Sequence, residues 1–205
     1  MGSNIGKIKF IAFVLVMFAT VGSINLIFNI NTAYASFPLT SDDGKWTFYE
    51  NGTIILYLGS ESVVTIPKQL TANGVSYEIK ELSRRALTEN DAITEIYMGP
   101  NINKIYNETF QGLPSLKKIV VSAENEKFCD INGVLYNKDK TILLKFPQKN
   151  ETKIFEIPTT LKECELYAIE KAENVEAIKM PAKYTGSNID IYNLKPESFP
   201  NLKTI

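Results

Sequence analysis

The chain offers few side chains of the types and spacing that catalysis requires. It contains no histidine among its 205 residues, which excludes Ser-His-Asp and Cys-His mechanisms and histidine-ligated zinc. Its two cysteines, Cys129 and Cys164, are too few for a four-cysteine metal site. Glu163 and Glu165 flank Cys164 with negative charge, which disfavours formation of the nucleophilic thiolate. We therefore predict a protein that is not an enzyme and that uses no cofactor or metal.

The charge balance argues against a nucleic-acid partner. Lys and Arg number 22 and Asp and Glu number 23, a net charge of −1, whereas nucleic-acid-binding domains normally carry a basic stripe and a high pI. The stretch Ser41-Asp42-Asp43-Gly44 has the oxygen ligands that Ca²⁺ prefers. We interpret this stretch as a solvated turn before the first strand, and we predict no metal site there.

Residues 1–35 have the pattern of a secretory signal peptide. Lys7 and Lys9 precede an apolar run at residues 10–30, and Ala33-Tyr34-Ala35 then gives the small-x-small pattern of a cleavage site. We predict cleavage after Ala35 and a secreted or cell-surface protein. An uncleaved anchor is the alternative, because residues 10–30 are long enough to span a bilayer. We expect no other contact with a membrane.

A repeat of 23 residues occupies the middle of the chain. The apolar residues of the first unit are Ile79, Leu82, Leu87, Ile93, Ile96 and Met98, and 23 residues later they recur as Ile102, Ile105, Phe110, Leu116, Ile119 and Val121. A third set, after an enlarged connection, is Ile157, Leu161, Cys164, Ile169, Val175, Ile178 and Met180. A weaker fourth set is Phe199, Leu202 and Ile205. One such unit cannot bury its own apolar face, so the units are expected to stack on their neighbours.

The end of each unit predicts a short β-strand. Residues 93–98, 116–121 and 175–180 share the pattern apolar-x-x-apolar-x-apolar, in which the last two apolar residues face the same side. Stacked units are expected to pair these strands in one parallel sheet. Leu87, Phe110 and Ile169 are expected to fill the space beneath it, and Cys164 is expected to be a small buried apolar residue.

Two hairpins are predicted outside the repeats. Asn51-Gly52 lies between two β-rich runs, which is a strong hairpin signal. We assign residues 36–78 to an N-terminal β cap and residues 79–205 to the repeats, with a β-hairpin insert at about 126–148. No cap is visible at the C-terminal end, so we expect either an exposed edge strand or a longer natural chain.

The sequence resembles the BspA-type leucine-rich repeats of exported bacterial surface proteins and of some protist surface proteins. The resemblance covers about residues 45–205. It rests on Ile105-Tyr-Asn-Glu-Thr-Phe110-Gln-Gly-Leu-Pro-Ser-Leu116-Lys-Lys-Ile119, on Ile157-Pro158-Thr-Thr-Leu161 and on the insert from Phe128 to Pro147. The sequence departs from the family pattern where Ala-Phe is usual, since Ala86-Leu87 and Thr109-Phe110 stand there. The position that often holds Cys carries Asn90, Leu113 and Ala172.

The repeat and the resemblance together predict the fold class. We expect a repeat solenoid of the α/β type that is mostly β, built as a leucine-rich-repeat stack with an N-terminal β-hairpin cap and a β-hairpin insert. The resemblance implies adhesion to host proteins, so the expected partner is an extracellular protein or glycan. The alternative is a structural or spacer segment of a larger surface protein.

The register of the predicted strands indicates which side chains face solvent. The outward residues are Glu95, Tyr97, Lys118, Val120, Ala177, Lys179 and Thr204. Among them we select Glu95, Tyr97, Lys118, Val120 and Lys179 as candidate partner-binding residues. Tyr97 beside Val120 makes a rigid apolar pair of the kind that interfaces use. Solvated strand residues without a ligand are the alternative, and the loop Asn137–Lys140 of the insert is a rival binding site.

Overall fold

The computed structural model describes residues 37–182 and 196–205, where regular structure is almost entirely β. The predicted signal peptide, residues 1–35, lies outside the described residues. The predicted mostly β character is confirmed. The α/β label has no counterpart in the described part of the chain, which contains no α-helix and one 3₁₀ turn, Pro196–Ser198. Turns and short extended segments fill the connections of the 23-residue repeats instead.

The described strands are β1 Leu39–Thr40, β2 Trp46–Phe48, β3 Thr53–Tyr57, β4 Val63–Thr65, β5 Gln69–Ala72, β6 Val75–Glu78, β7 Glu81–Leu82, β8 Glu95–Met98, β9 Lys104–Ile105, β10 Lys118–Val121, β11 Phe128–Ile131, β12 Val134–Asn137, β13 Ile142–Lys145, β14 Ile154–Glu156, β15 Glu163–Cys164 and β16 Ala177–Lys179.

Parallel strands one repeat apart form the framework of the fold. β4, β8 and β10 make a three-stranded parallel sheet in which Ile96 pairs with Ile119, 23 residues later. β7 and β9 pair in the same way through Leu82 and Ile105, and β3 extends that sheet. The inner side chains of both sheets belong to one buried core. The first repeats are therefore a sandwich of two parallel sheets around apolar side chains.

The predicted single parallel sheet is interrupted after β10. The backbone of β10 is bonded there to the β11–β12 hairpin: Ile119 N donates to Gly133 O in its turn at 2.9 Å, and Val121 N donates to Asp130 Oδ1 on β11 at 2.9 Å. Gly133 has a φ of 80°, and a Cβ at this position would lie 2.5 Å from the Cβ of Lys118. Glycine thus allows the turn to approach β10 closely. β14 and β16 form a separate parallel pair beyond this turn.

The segment between Phe128 and Lys145 forms an antiparallel set of three strands, β11, β12 and β13. β12 is buried on both faces. Leu135 packs into the core of the first repeats, whereas Val134 and Tyr136 pack into a second core with the later repeats. β13 then pairs in parallel with β15, where Cys164 is buried as expected.

The N-terminal residues form antiparallel strands at the edge of the β3–β7–β9 sheet. β1 pairs with β2 and β2 pairs with β3, and the ring centroids of Trp46 and Tyr57 lie 4.5 Å apart. A second hairpin, β5–β6, turns at Asn73 and Gly74, which have φ values of 53° and 76°. Positive φ at both residues is the signature of a type I′ hairpin turn.

A series of asparagine side chains links each repeat to the preceding one. Each Nδ2 donates to at least one backbone carbonyl 18–33 residues earlier, and the series is Asn101, Asn125, Asn150, Asn174 and Asn201. Asn125 is fully buried; it donates to the carbonyls of Gly99 and Ile102 and accepts from the amides of Lys127 and Phe128. These bonds satisfy backbone groups at the turns, where no sheet ladder reaches them.

Replacing Asn125 with Ala should lower the free energy of unfolding by about 2–4 kcal/mol, because two carbonyls and two amides lose their buried partner. Urea unfolding followed by circular dichroism measures the change. Asn103→Ala is the control, since Asn103 is exposed and only its backbone amide makes a hydrogen bond within the described chain. Equal effects of the two substitutions would contradict a structural role for the Asn125 side chain.

Replacing Phe110 with Ala should cost about 3–5 kcal/mol, because Phe110 is 4% exposed and its removal leaves a cavity. Replacing Tyr97 with Ala should cost about 1 kcal/mol or less, because its ring lies on the solvent side of β8. The same urea measurement compares them. Comparable losses would show that the side chains of β8 face the opposite way.

Candidate binding surface

The solvent side of β4, β8 and β10 is the surface where four of the five predicted residues meet; we call it the parallel face. Side chains alternate along each strand, so Ile96 and Met98 point into the core while Glu95 and Tyr97 point outward. The ladder aligns Val63, Glu95 and Lys118 in one row and Thr65, Tyr97 and Val120 in the next. The predicted neighbours Glu95–Lys118 and Tyr97–Val120 are therefore paired across strands.

Glu95, Tyr97 and Lys118 form one polar network on this face. The Tyr97 hydroxyl donates to Glu95 Oε2 at 2.8 Å, and Lys118 Nζ lies 3.1 Å from the same oxygen. Lys118 Nζ is also 5.8 Å from the centroid of the Tyr97 ring, within reach of a cation–π contact. The network holds the tyrosine ring in one orientation beside Val120, so the ring loses little further freedom when a ligand packs on it.

The same contacts set the protonation of the network. The pKa of Glu95 lies below its ordinary value of 4.5, first because the Tyr97 hydroxyl donates to the carboxylate and second because Lys118 is bonded to it. The pKa of Lys118 is raised by its bond to Glu95. Both side chains are therefore charged near neutral pH, and the pair offers an acceptor and a donor beside the tyrosine.

An apolar groove lies where the three parallel strands end. Its walls include Thr65, Pro67, Tyr97, Pro100 and Val120. Prolines that follow strand patterns at Ile66-Pro67 and Gly99-Pro100 are the sequence signal for it, because proline ends a strand without leaving an unpaired amide. Tyr97 and Val120 belong both to the parallel face and to the groove, so they connect the polar network with an apolar surface.

Lys179 is separated from the other four predicted residues. It lies on β16 in the β14–β16 pair, beyond the turn that interrupts the sheet after β10, and its Nζ is 2.9 Å from Glu156 Oε1. Lys179 therefore lies outside the parallel face, which differs from the expectation that the repeat strands pair in one parallel sheet. The physical reason is that the Gly133 turn occupies the hydrogen-bonding edge of β10 that a further repeat strand was expected to use.

The buried Lys145 forms an ion pair with the half-buried Glu170, a pair that the sequence analysis missed. The Lys145 side chain is 2% exposed, and its Nζ is 2.5 Å from Glu170 Oε2 and 3.3 Å from Tyr167 O. Glu170 Oε1 accepts from Gly112 N at 3.1 Å, so the pair joins the earlier and later repeats. Burial lowers the pKa of Lys145 in spite of Glu170. A lysine within the apolar run Ile142–Phe146 was the available signal.

The other candidates for chemistry have structural contacts. Asp43 Oδ1 accepts from Ser41 Oγ at 2.5 Å and from Lys45 N at 3.0 Å, and Asp42 Oδ1 accepts from Asn73 N at 2.9 Å. Cys129 Sγ donates to the carbonyl of Asn137 at 3.3 Å. Across residues 37–182 and 196–205, no group of three or more Cys, Asp or Glu side chains is arranged to hold a metal ion.

Comparison with known proteins finds similarity only among solved structures. No protein-family model matches the chain, and no curated protein matches it. A leucine-rich repeat protein from Eubacterium ventriosum is 19% identical over 71% of this chain, with a TM-score of 0.40. The pneumococcal vaccine antigen PcpA is 12% identical over 83% of this chain and 72% of its own length, with a TM-score of 0.36.

A third similar structure is a leucine-rich cell surface protein from Faecalibacterium prausnitzii, 13% identical over 71% of each chain, with a TM-score of 0.30. The neighbours are bacterial leucine-rich repeat proteins. The chain spans 60% of the length of the Eubacterium ventriosum protein. The overlays are partial, and the repeat register of this chain is established by its own strand pairs.

Replacing Tyr97 with Phe should raise the pKa of Glu95 toward 4.5, because the carboxylate loses the hydroxyl that lowers it most. A carboxyl-carbon NMR titration measures the shift, and Tyr106→Phe is the control. The folded-state pKa lies below the unfolded value, so this contact stabilises the fold above about pH 4.5 and the stabilisation is lost as the pH falls through the folded pKa. An unchanged titration midpoint of Glu95 in Tyr97→Phe would contradict the hydrogen bond from the Tyr97 hydroxyl to Glu95.

Proposed function

We propose that this protein is an exported surface repeat module that binds an extracellular protein or glycan, an adhesion-type function. The observation that carries the proposal is the parallel face itself, where a tyrosine fixed by two charged neighbours lies beside an apolar groove. Interfaces place such rigid aromatic side chains at their centre and polar groups at the rim. The charged pair of Glu95 and Lys118 gives the surface its polar rim.

Export is part of the proposal. It is supported by the signal-peptide pattern of residues 1–35 and the small-x-small site at Ala33-Tyr34-Ala35. Cleavage after Ala35 would leave a secreted or cell-surface chain. Among the described residues, no helix has the length and apolar character needed to cross a membrane.

The proposed activity is binding without catalysis, and no cofactor is needed for it. Glu95 is the carboxylate of the site, and its lowered pKa makes it a hydrogen-bond acceptor rather than a proton donor near neutral pH. Its partners Tyr97 and Lys118 hold it in place and leave no activated nucleophile among the residues of the network. These features suit recognition of a partner surface.

The double substitution Tyr97→Ala with Val120→Ser should weaken partner binding at least about tenfold, because the rigid apolar centre of the surface is lost. Binding to a panel of extracellular matrix proteins and to a glycan array is measured by interferometry on the full-length protein. Circular dichroism checks that the variant is folded.

The matched control is Asp139→Lys with Lys140→Glu in the rival loop, which exchanges two exposed charges. Lys138 is kept, because its Nζ donates to the carbonyl of Asn125. Loss of binding in the loop variant with retention in the sheet variant would refute the parallel face as the site. Failure of the unmodified protein to bind any member of the panel would favour the spacer function.

A further inference from the structure

A second groove lies on the solvent side of the β3–β7–β9 sheet, the other sheet around the first core. It is lined by Tyr49, Asn51, Arg84, Arg85, Lys104 and Tyr106, and we call it the arginine groove. The register Thr53–Glu81–Lys104 fixes the rows of this sheet. Since the inner side chains of this sheet and of the β4–β8–β10 sheet meet in one core, the arginine groove and the parallel face lie on opposite sides of it.

Arg84 and Arg85 are the only arginines of the chain. Both are exposed, and neither forms an ion pair within residues 37–182 and 196–205. Every ion pair described in those residues joins a lysine to a glutamate. The two guanidinium groups therefore remain available to an external anion, and the planar guanidinium binds carboxylate in a bidentate manner.

The remaining charges of the groove leave a positive excess. Three cations, Arg84, Arg85 and Lys104, stand against two acids, Glu81 and Glu108. Glu81 is already engaged, because its Oε2 lies 3.5 Å from Lys104 Nζ and accepts from Thr53 Oγ1 at 3.5 Å. A chain with slightly more acidic than basic residues overall thus carries a locally cationic groove.

Aromatic and neutral polar groups accompany the arginines. Tyr49 and Tyr106 are partly exposed on the groove walls, and Lys104 Nζ lies 4.5 Å from the centroid of the Tyr106 ring. The side-chain Oδ1 of Asn51 accepts from Thr53 N, and its Nδ2 makes no hydrogen bond to the described residues. An open amide donor beside aromatic rings suits sugar hydroxyls and sugar faces, which an acidic peptide lacks.

We propose that the arginine groove binds a carboxylated glycan, a chain of uronic-acid sugars, through bidentate contacts from Arg84 and Arg85. Tyr49 and Tyr106 provide the rings against which sugar faces pack, and Asn51 donates to a hydroxyl. The site lies on the opposite side of the first core from the parallel face. Because the carboxylate supplies the recognised charge, the affinity falls as the salt concentration rises.

The experiment measures binding of oligogalacturonate to the full-length protein by calorimetry, with its methyl ester as the uncharged counterpart. The double substitution Arg84→Gln with Arg85→Gln should weaken binding at least about tenfold. Arg84→Lys with Arg85→Lys keeps the positive charge and should retain only part of the affinity, since lysine lacks the bidentate geometry. The methyl ester should bind far more weakly than the acid.

Lys127→Gln with Lys162→Gln is the matched control, because it removes two exposed charges elsewhere and should bind as the unmodified protein does. Tyr97→Ala with Val120→Ser should also bind oligogalacturonate normally, which separates this site from the parallel face. The proposal is overturned if Arg84→Gln with Arg85→Gln binds oligogalacturonate normally, or if Lys127→Gln with Lys162→Gln weakens binding equally. It is also overturned if the unmodified protein does not bind oligogalacturonate. Binding of hexaglutamate but not of oligogalacturonate would assign the groove to an acidic peptide instead.

Discussion

The fold depends on hydrogen bonds that run from each repeat to the one before it. Strands of two to five residues pair only a few backbone groups, and the turns between them would leave buried carbonyls without partners. Asparagine side chains supply those partners at intervals close to the repeat length, from Asn101 to Asn201. The stack is thus held by polar groups of definite geometry as well as by apolar burial, and both depend on the same repeat register.

Charge pairs on the surface follow the same register. Glu81 with Lys104 and Glu95 with Lys118 are each separated by 23 residues and lie on adjacent strands. Exposed pairs of this kind each contribute under about 1 kcal/mol, but a slip of one residue would place the wrong side chains outward and break them all. Lysine is the cation in all of the described ion pairs, and the two arginines of the groove take no part in them.

Apolar periodicity was enough to predict the strands of the repeats and the outward direction of Glu95, Tyr97, Lys118 and Val120, because buried positions recur at a fixed interval. Periodicity gave no sign of the break after β10, which depends on how closely Gly133 approaches Lys118 in space. It also missed the arginine groove, whose residues come from different units and from the segment before them. A contact that forms only once, between two segments distant in sequence, produces no periodic pattern.

β12 gives one side chain to the core of the first repeats and two to the core of the later ones. It separates the two cores and contributes buried side chains to both of them. Local unfolding of either the earlier or the later repeats would expose one face of β12 to water. The loss of packing on that face would then destabilise the core on its other face. Repeat proteins can unfold locally from their ends, one repeat at a time. The shared strand couples unfolding of the earlier repeats to unfolding of the later ones.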